Sequence, residues 1–337
     1  MVARVEQPGV GYCRRGGVAL AADMPLVDAL DLIERACALS GAAYREALCQ
    51  AVESATNTTP PRHARALRTL FLEIERILAR LWYLSECARA CDLSFYQGQA
   101  LDQREALYAA LQHATDARHF WHVALPAGAR DDLTLDDLGP ALKSLESSLD
   151  GWRRATDPHG PLGRAGAHVG VIAEKVASTL NLTSLAASGS LAAPDLRRTP
   201  AYGGYADLRD EIAWPEAPAS LKGDSADRMR AAISDLATSY GIALSCVSIL
   251  EGGSRDYQAR LTRPAANTRG EARVEGPHGP ITVQVSLGPA SDIAALACES
   301  SARAAVDALP IILEDTRLDK VPLVLASLDL CLECNDQ

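Results

Sequence analysis

Leu67-Arg68-Thr69-Leu70-Phe71-Leu72-Glu73-Ile74-Glu75-Arg76-Ile77-Leu78-Ala79-Arg80-Leu81-Trp82-Tyr83-Leu84 is the stretch that decides the fold. Leu67, Leu70, Phe71, Ile74, Ile77, Leu78, Leu81 and Leu84 recur at three- and four-residue spacing, the repeat of one helix face. Glu73, Arg76 and Arg80 fall on other faces. An apolar stripe this wide belongs inside a helical bundle. Glu73, Glu75 and Arg76 are expected to form ion pairs within it.

Working outward, Pro60-Pro61 cannot continue a helix and bounds this one on its N-terminal side. Upstream, Pro25 opens a helical run through Leu26, Ala29, Leu30, Ile33 and Cys37, and a second run passes through Tyr44, Leu48 and Val52. Residues 1–24, with Gly9, Gly11, Gly16 and Gly17, read as loop with a short strand. Downstream, helices are expected over 102–122, 133–155, 163–187 and 225–250, the last with Asp224 as its N-cap. Residues 188–222 lack a helical period and read as a long connection. Glu271–Glu275 and Ile281–Val285, joined through Gly276-Pro277-His278-Gly279-Pro280, read as a β-hairpin, and a last helix is expected over 292–309. The chain therefore reads as mainly α (α+β), with a helical bundle core and minor β-strands near the N-terminus and at about 271–285. It is taken as a single domain over 1–337: a bundle at 25–187, the connection at 188–222, and helices, hairpin and a terminal Cys-x-x-Cys at 223–337.

Composition limits the function. A net charge of -10 lacks the basic face that phosphate neutralisation needs, so nucleic acid is not an expected partner. No stretch reads as a run of roughly 20 uncharged apolar residues. The start has no leader pattern, and the odd cysteine count suits no full disulfide framework, so the nine thiols are expected to be reduced in the cytoplasm.

Cys331-Leu332-Glu333-Cys334 carries two thiols at metal-ligand spacing, and Cys37-Ala38-Leu39-Ser40 repeats that spacing near the other end with serine in the second place. Matching motifs at both ends suggest one site built where the ends meet. Cys49, Cys87 and Cys91 are read as packing residues, and His119 with His122 as a surface pair. There is no phosphate-binding glycine loop.

Six colinear segments then carry a resemblance. These are Gly11-Tyr12-Cys13-Arg14-Arg15-Gly16, Glu34–Cys37 through Cys49–Glu53, Leu67–Leu84, Ala187-Ser188-Gly189 with Asp195–Arg198 and Pro200-Ala201-Tyr202, Gly223-Asp224 with Arg228, and Ser327-Leu328-Asp329 with Cys331 and Cys334. In that order they resemble the large subunit of complex I-related, membrane-bound nickel–iron hydrogenases, a superfamily that includes the 49-kDa (D) subunit of respiratory complex I. The resemblance implies a hydrogenase-large-subunit-like fold. It also implies electron transfer beside a small iron–sulfur subunit, with further subunits holding the assembly on the inner face of the cell membrane.

In the hydrogenase branch, four cysteines, two from each end, hold a nickel–iron centre; in the complex I branch a quinone headgroup enters the same cleft. Carried onto this chain, the metal ligands are Cys37, Cys331 and Cys334, with Ser40 in the fourth ligand position. His278 replaces the arginine of the family's Pro-Arg-Gly, and Leu330 replaces the proline of its Asp-Pro-Cys-x-x-Cys. Asp329 and His278 are the expected proton-handling groups. Leu48 stands where the complex I branch has its quinone tyrosine, and Tyr44, one turn earlier, is the expected substitute. The three thiols with His278 can also be read as a zinc site. The leading expectation is an electron-transfer subunit with a divergent active site. The alternatives are a structural pseudo-subunit with no chemistry of its own, and an active nickel–iron or quinone-reducing subunit.

Overall fold

In the computed structural model, the residues described are 6, 9–190, 194–215, 221–252, 255–262, 267–288 and 292–336. The fold is mainly helical with two small sheets. The stripe helix extends from Arg62 to Ala90, with Pro61 fixing its entry and Cys91 its end. It is buried on nearly every side, charged residues included: Arg68, Glu73, Glu75, Arg76 and Arg80 all lie in the interior.

Before this helix come α1 (Gly17–Leu20), α2 (Leu26–Glu34) and α3 (Gly41–Thr56), so the stripe helix is α4. Among the described residues of 1–24 there is no strand; the short α1 stands where one was expected. Next is α5 (Ser94–Thr115), which begins eight residues earlier than the periodicity suggests and stops at Asp116 in the left-handed conformation. The chain then forms the two-residue strands β1 (Ala124–Leu125) and β2 (Gly128–Ala129), followed by α6 (Leu138–Thr156).

The single helix expected over 163–187 is three short ones: α7 (Pro161–Gly166), α8 (Glu174–Thr179) and α9 (Ser184–Ser188). Left-handed residues His168, Gly170 and Asn181 break the run between them. Within 188–222 the chain makes α10 (Gly203–Asp207); residues 191–193 and 216–220 of that connection lie outside the described residues.

α11 (Ser225–Glu251) starts as expected, with the Asp224 carboxylate accepting from Asp227 N. By length and composition alone it is apolar enough to cross a membrane. It lies along α4 instead, burying Met229, Ile233 and Leu236 together with Asp227 and Arg228.

The hairpin is β3 (Thr268–Gly276) and β4 (Gly279–Leu287), paired antiparallel from Thr268↔Leu287 to Gly276↔Gly279. β5 (Ile293–Ser300) adds a third strand where a helix was expected, with Leu296 opposite Val285 and Cys298 opposite Val283. Its Ala-rich sequence favours a helix, but pairing to the open edge of β4 outweighs that propensity. α12 (Arg303–Asp307), α13 (Leu309–Ile312), α14 (Val321–Ser327) and α15 (Leu332–Asn335) complete the chain. This sheet packs on α3, which brings the hairpin turn to the helix that follows Ser40.

Candidate functional site at the meeting of the chain ends

Two short segments build the site. Cys37 lies in the turn between α2 and α3, and Cys331 leads into α15. The ends are pinned by carboxylates of the last residues. Asp336 accepts from the backbone N–H of Gly11 (2.7 Å) and Cys13 (2.6 Å), and Glu333 accepts from Ala38 N (2.7 Å) and from Arg15 (2.9 Å). The sulfurs of Cys37, Cys331 and Cys334 consequently lie within 4.8 Å of one another, all buried. Cys37 Sγ and Cys331 Sγ stand 3.5 Å apart.

Ser40 is fully buried and occupies the N-cap position of α3, yet its hydroxyl does not cap that helix. It lies 3.1 Å from His278 Nδ1, and the Cys334 thiol donates to it over 3.7 Å. The capping role passes to Glu75 of α4, whose carboxylate accepts from Ala42 N (2.8 Å) and Ala43 N (3.1 Å). The ion pair expected for Glu75 is thus a helix cap. Burial pushes its carboxyl up to about 8, against the pull of those two amides. Gly41 follows because any Cβ there would sit 2.4 Å from Glu34 O.

His278 sits in the two-residue turn between β3 and β4. Gly279 takes φ +113°, and a Cβ on it would meet Ser301 Oγ at 2.5 Å. Two buried arginines of α4 hold the turn by its carbonyls: Arg76 donates to Glu275 O (2.7 Å) and Gly276 O (3.2 Å), and Arg80 donates to Pro277 O (2.8 Å). The other ring nitrogen, Nε2, faces Asp329 Oδ1 at 3.6 Å, and Asp329 Oδ2 accepts from Arg80 at 2.7 Å. Ser40, His278, Asp329 and Arg80 therefore form one connected buried polar chain.

That chain continues into the bundle. Arg80 also donates to Asp235 (2.7 Å), Asp235 accepts from Arg197 (2.6 Å), and Arg197 pairs with Glu73 (3.1 Å). Burial works against an ionised Asp235, but Arg197, Arg80 and Arg76 hold its carboxyl far below the usual carboxylate range. The expected pairing of Glu73 is present; Arg76 spends its donors mainly on backbone carbonyls, with Asp235 at 3.9 Å. The sequence signal for Arg80 and Asp235 was available in principle, since charges on every face of an engulfed helix must find partners inside the protein.

The three thiols divide their protons unequally. Hydrogen bonding from Cys334 and then Cys37 holds Cys331 below the usual thiol range, while sharing with the Cys331 sulfur raises Cys334 and Cys37. Tyr44, on α3, is fully buried beside the cluster; burial first, then the neighbouring thiols, push its phenol well above the usual tyrosine range. Its hydroxyl has no hydrogen-bond partner of normal geometry among the described residues.

Three sulfurs and one hydroxyl differ from the four sulfurs that the resemblance implies. Ser40 Oγ is already engaged by His278, so the donor set does not fit a dinuclear nickel–iron centre held by four thiolates. It fits a single soft cation, with three sulfurs as ligands. His278 does not complete a zinc tetrahedron in this arrangement, because both of its nitrogens already face other partners.

Other candidates lie apart. Cys49, Cys87 and Cys246 are buried in the core. His119 packs at a tilt against Tyr108, whereas His122 faces Asp31 (3.3 Å) and Glu34 (3.6 Å) and is less a surface residue than expected. Arg45 donates to both of those carboxylates (2.7 and 3.1 Å) and already supplies the cation there.

Comparison with known proteins bears on the fold and the family. Residues 96–269 match the family model described as the 49 Kd subunit of respiratory-chain NADH dehydrogenase. The D subunit of the NADH-quinone oxidoreductase of Agrobacterium fabrum is 26% identical over 258 residues, which is 76% of this chain and 64% of that protein. The corresponding D subunits of Cereibacter sphaeroides (26% over 273 residues, 79% and 65%) and Rickettsia prowazekii (25% over 270 residues, 79% and 67%) are similar to it as well. The match thus spans under two thirds of the first of these relatives. In three dimensions the chain is similar to one from the membrane-bound sulfane sulfur reductase, an archaeal respiratory membrane complex. The TM-score is 0.87 at 22% identity, covering 98% of this chain and 90% of that one.

Proposed function

The chain belongs to the family of the respiratory-chain NADH dehydrogenase 49 Kd subunit, and we propose that it works as the hydrogenase-like, D-type large subunit of a membrane-associated oxidoreductase complex. It folds as one hydrogenase-large-subunit-like domain, takes part in electron transfer beside a small iron–sulfur subunit, and is held at the inner face of the membrane by partner subunits. Its active site is the divergent cluster of chain ends. The observation that carries this reading is the convergence of Cys37, Cys331 and Cys334 from opposite ends of the chain onto Ser40 and His278.

Cys37, Cys331 and Cys334 would hold a soft cation there, which would supply a site for taking up or releasing electrons. The residues around it handle the proton. His278 shares Nδ1 with Ser40 and turns Nε2 to Asp329, so a proton arriving at the ring has an oxygen partner on either side. Arg80 fixes Asp329 by its other oxygen and keeps that carboxylate oriented. The Tyr44 hydroxyl, which has no hydrogen-bond partner of normal geometry among the described residues, supplies a donor for an oxygen-bearing ligand such as a quinone headgroup.

A second reading, a non-catalytic scaffold that keeps fold and partner interface, is favoured by a different observation: Ser40 stands where the resemblance implies a sulfur, and the cluster is almost wholly buried. Purification of the native complex through a tag on this chain separates the two. Catalysis predicts co-purification of an iron–sulfur subunit and a membrane subunit, with soft metal stoichiometric to the chain and dependent on Cys331. Recovery of the full complex with no metal at this site beyond the iron–sulfur partner supports the scaffold. Recovery of the chain alone overturns both.

A further inference from the structure

We propose that Cys37 and Cys331 are a redox-switched pair whose reversible disulfide closes the three-thiol site and staples the two chain ends together. The sulfurs stand 3.5 Å apart although 294 residues separate them in sequence. A disulfide needs about 2.05 Å, so the sulfurs must close by roughly 1.5 Å. Both cysteines lie outside helices, in the turn after α2 and in the turn before α15, where backbone dihedrals can adjust without breaking a helical ladder. Glu333 holds the two turns together through Ala38 N, and Asp336 ties the same C-terminal segment to Gly11 N and Cys13 N. The chain-closing entropy is therefore met by folding itself, and oxidation has only to join two preassembled sulfurs.

The oxidant class is a small hydroperoxide, which suits a site with little exposure. Cys331, 4% exposed against 0% for Cys37, is attacked first. Its sulfur displaces hydroxide from the O–O bond of hydrogen peroxide and becomes a sulfenic acid, and the thiol proton leaves with the hydroxide as water. The Cys37 sulfur then displaces the sulfenic oxygen, which takes the Cys37 proton and departs as a second water. Two thiols lose two electrons and two protons, and one peroxide becomes two waters. The product consumes two of the three soft donors, so an oxidised chain cannot hold a cation through three sulfurs. Oxidation state would thereby gate occupancy of the site, independently of which complex the chain serves.

The test uses the purified full-length chain, treated with hydrogen peroxide, blocked with an alkylating agent and mapped by mass spectrometry. The expected result is a Cys37–Cys331 cross-linked peptide with two fewer free thiols. It should be reversed by dithiothreitol and accompanied by a rise in Tm of several degrees, because a loop of nearly the whole chain is closed in the unfolded state. Cys334→Ser should keep the cross-link, whereas Cys37→Ser should lose both the cross-link and the Tm rise. A Cys331–Cys334 link, separate over-oxidation of each thiol, or no loss of thiols overturns the proposal. If Cys37→Ser does not fold, the peptide map of the unsubstituted chain decides alone.

Discussion

Ser40 and Glu75 exchange jobs, and the site depends on that exchange. A serine at an N-cap would ordinarily bond the first amides of its own helix. Here Glu75 takes Ala42 N and Ala43 N, which leaves the Ser40 hydroxyl for His278 and Cys334. The carboxyl of Glu75 is raised from 4.5 to about 8 by burial. The folded state therefore holds a proton that the unfolded chain has released, so this contribution to stability is full below the unfolded value and is lost as pH rises through about 8. Glu75→Gln, which cannot ionise and still offers an oxygen, should flatten the fall in Tm over that window; an unchanged slope would show that Glu75 is not the group responsible. Ser40→Cys should turn three sulfurs into four and raise the affinity for Co2+ roughly tenfold or more, read from thiolate-to-metal absorption. The Ser-for-Cys replacement was legible in the sequence. The capping exchange was not, because Glu75 lies far from Ser40 along the chain and only tertiary packing brings its carboxylate to the amides.

At the scale of elements, the hairpin turn and α4 form a single device. Arg76 and Arg80 grip the carbonyls of residues 275–277, and Gly279 supplies the backbone conformation that lets the turn close against Ser301. Arg80→Leu removes the arginine partner of Asp329 and one of the partners of Asp235, which keeps Arg197, with both carboxylates left in the interior. The expected cost is about 3–5 kcal/mol by chemical denaturation; a loss below about 1 kcal/mol would mean that water reaches those carboxylates. Gly279→Val should destabilise by about 1–3 kcal/mol through its positive φ and its clash, and should broaden the His278 imidazole NMR signals as the turn shifts. The apolar stripe, the Asp224 cap and the two strand-like segments joined through Gly276-Pro277-His278-Gly279-Pro280 made α4, α11 and the hairpin readable. β5 was not, because Ala294 to Ala297 favour a helix and only the edge of β4 draws them into a strand. The single helix read over 163–187 failed for the opposite reason: the apolar period persists while left-handed residues break the backbone.

For the whole molecule, the central fact is that residues 9–40 and 327–336 build one site although nearly the full chain lies between them. Local periodicity cannot show such a convergence. Two cysteine motifs at matching spacing hinted at it, and the ordered resemblance to the complex I and hydrogenase large subunits said which halves belong together. What neither could show is the fastening by Glu333 and Asp336, or the turning of His278 toward Ser40 and Asp329. The same geometry determines the most direct test of the account. Electron-transfer turnover should be measured in the native complex purified with the Cys37→Ala/Cys331→Ala chain, alongside the unsubstituted one. The account predicts that the complex assembles with all its subunits and loses turnover by at least about two orders of magnitude, since each removed sulfur belongs to the reacting site. A fully assembled complex that keeps its turnover would contradict it and leave the chain a scaffold.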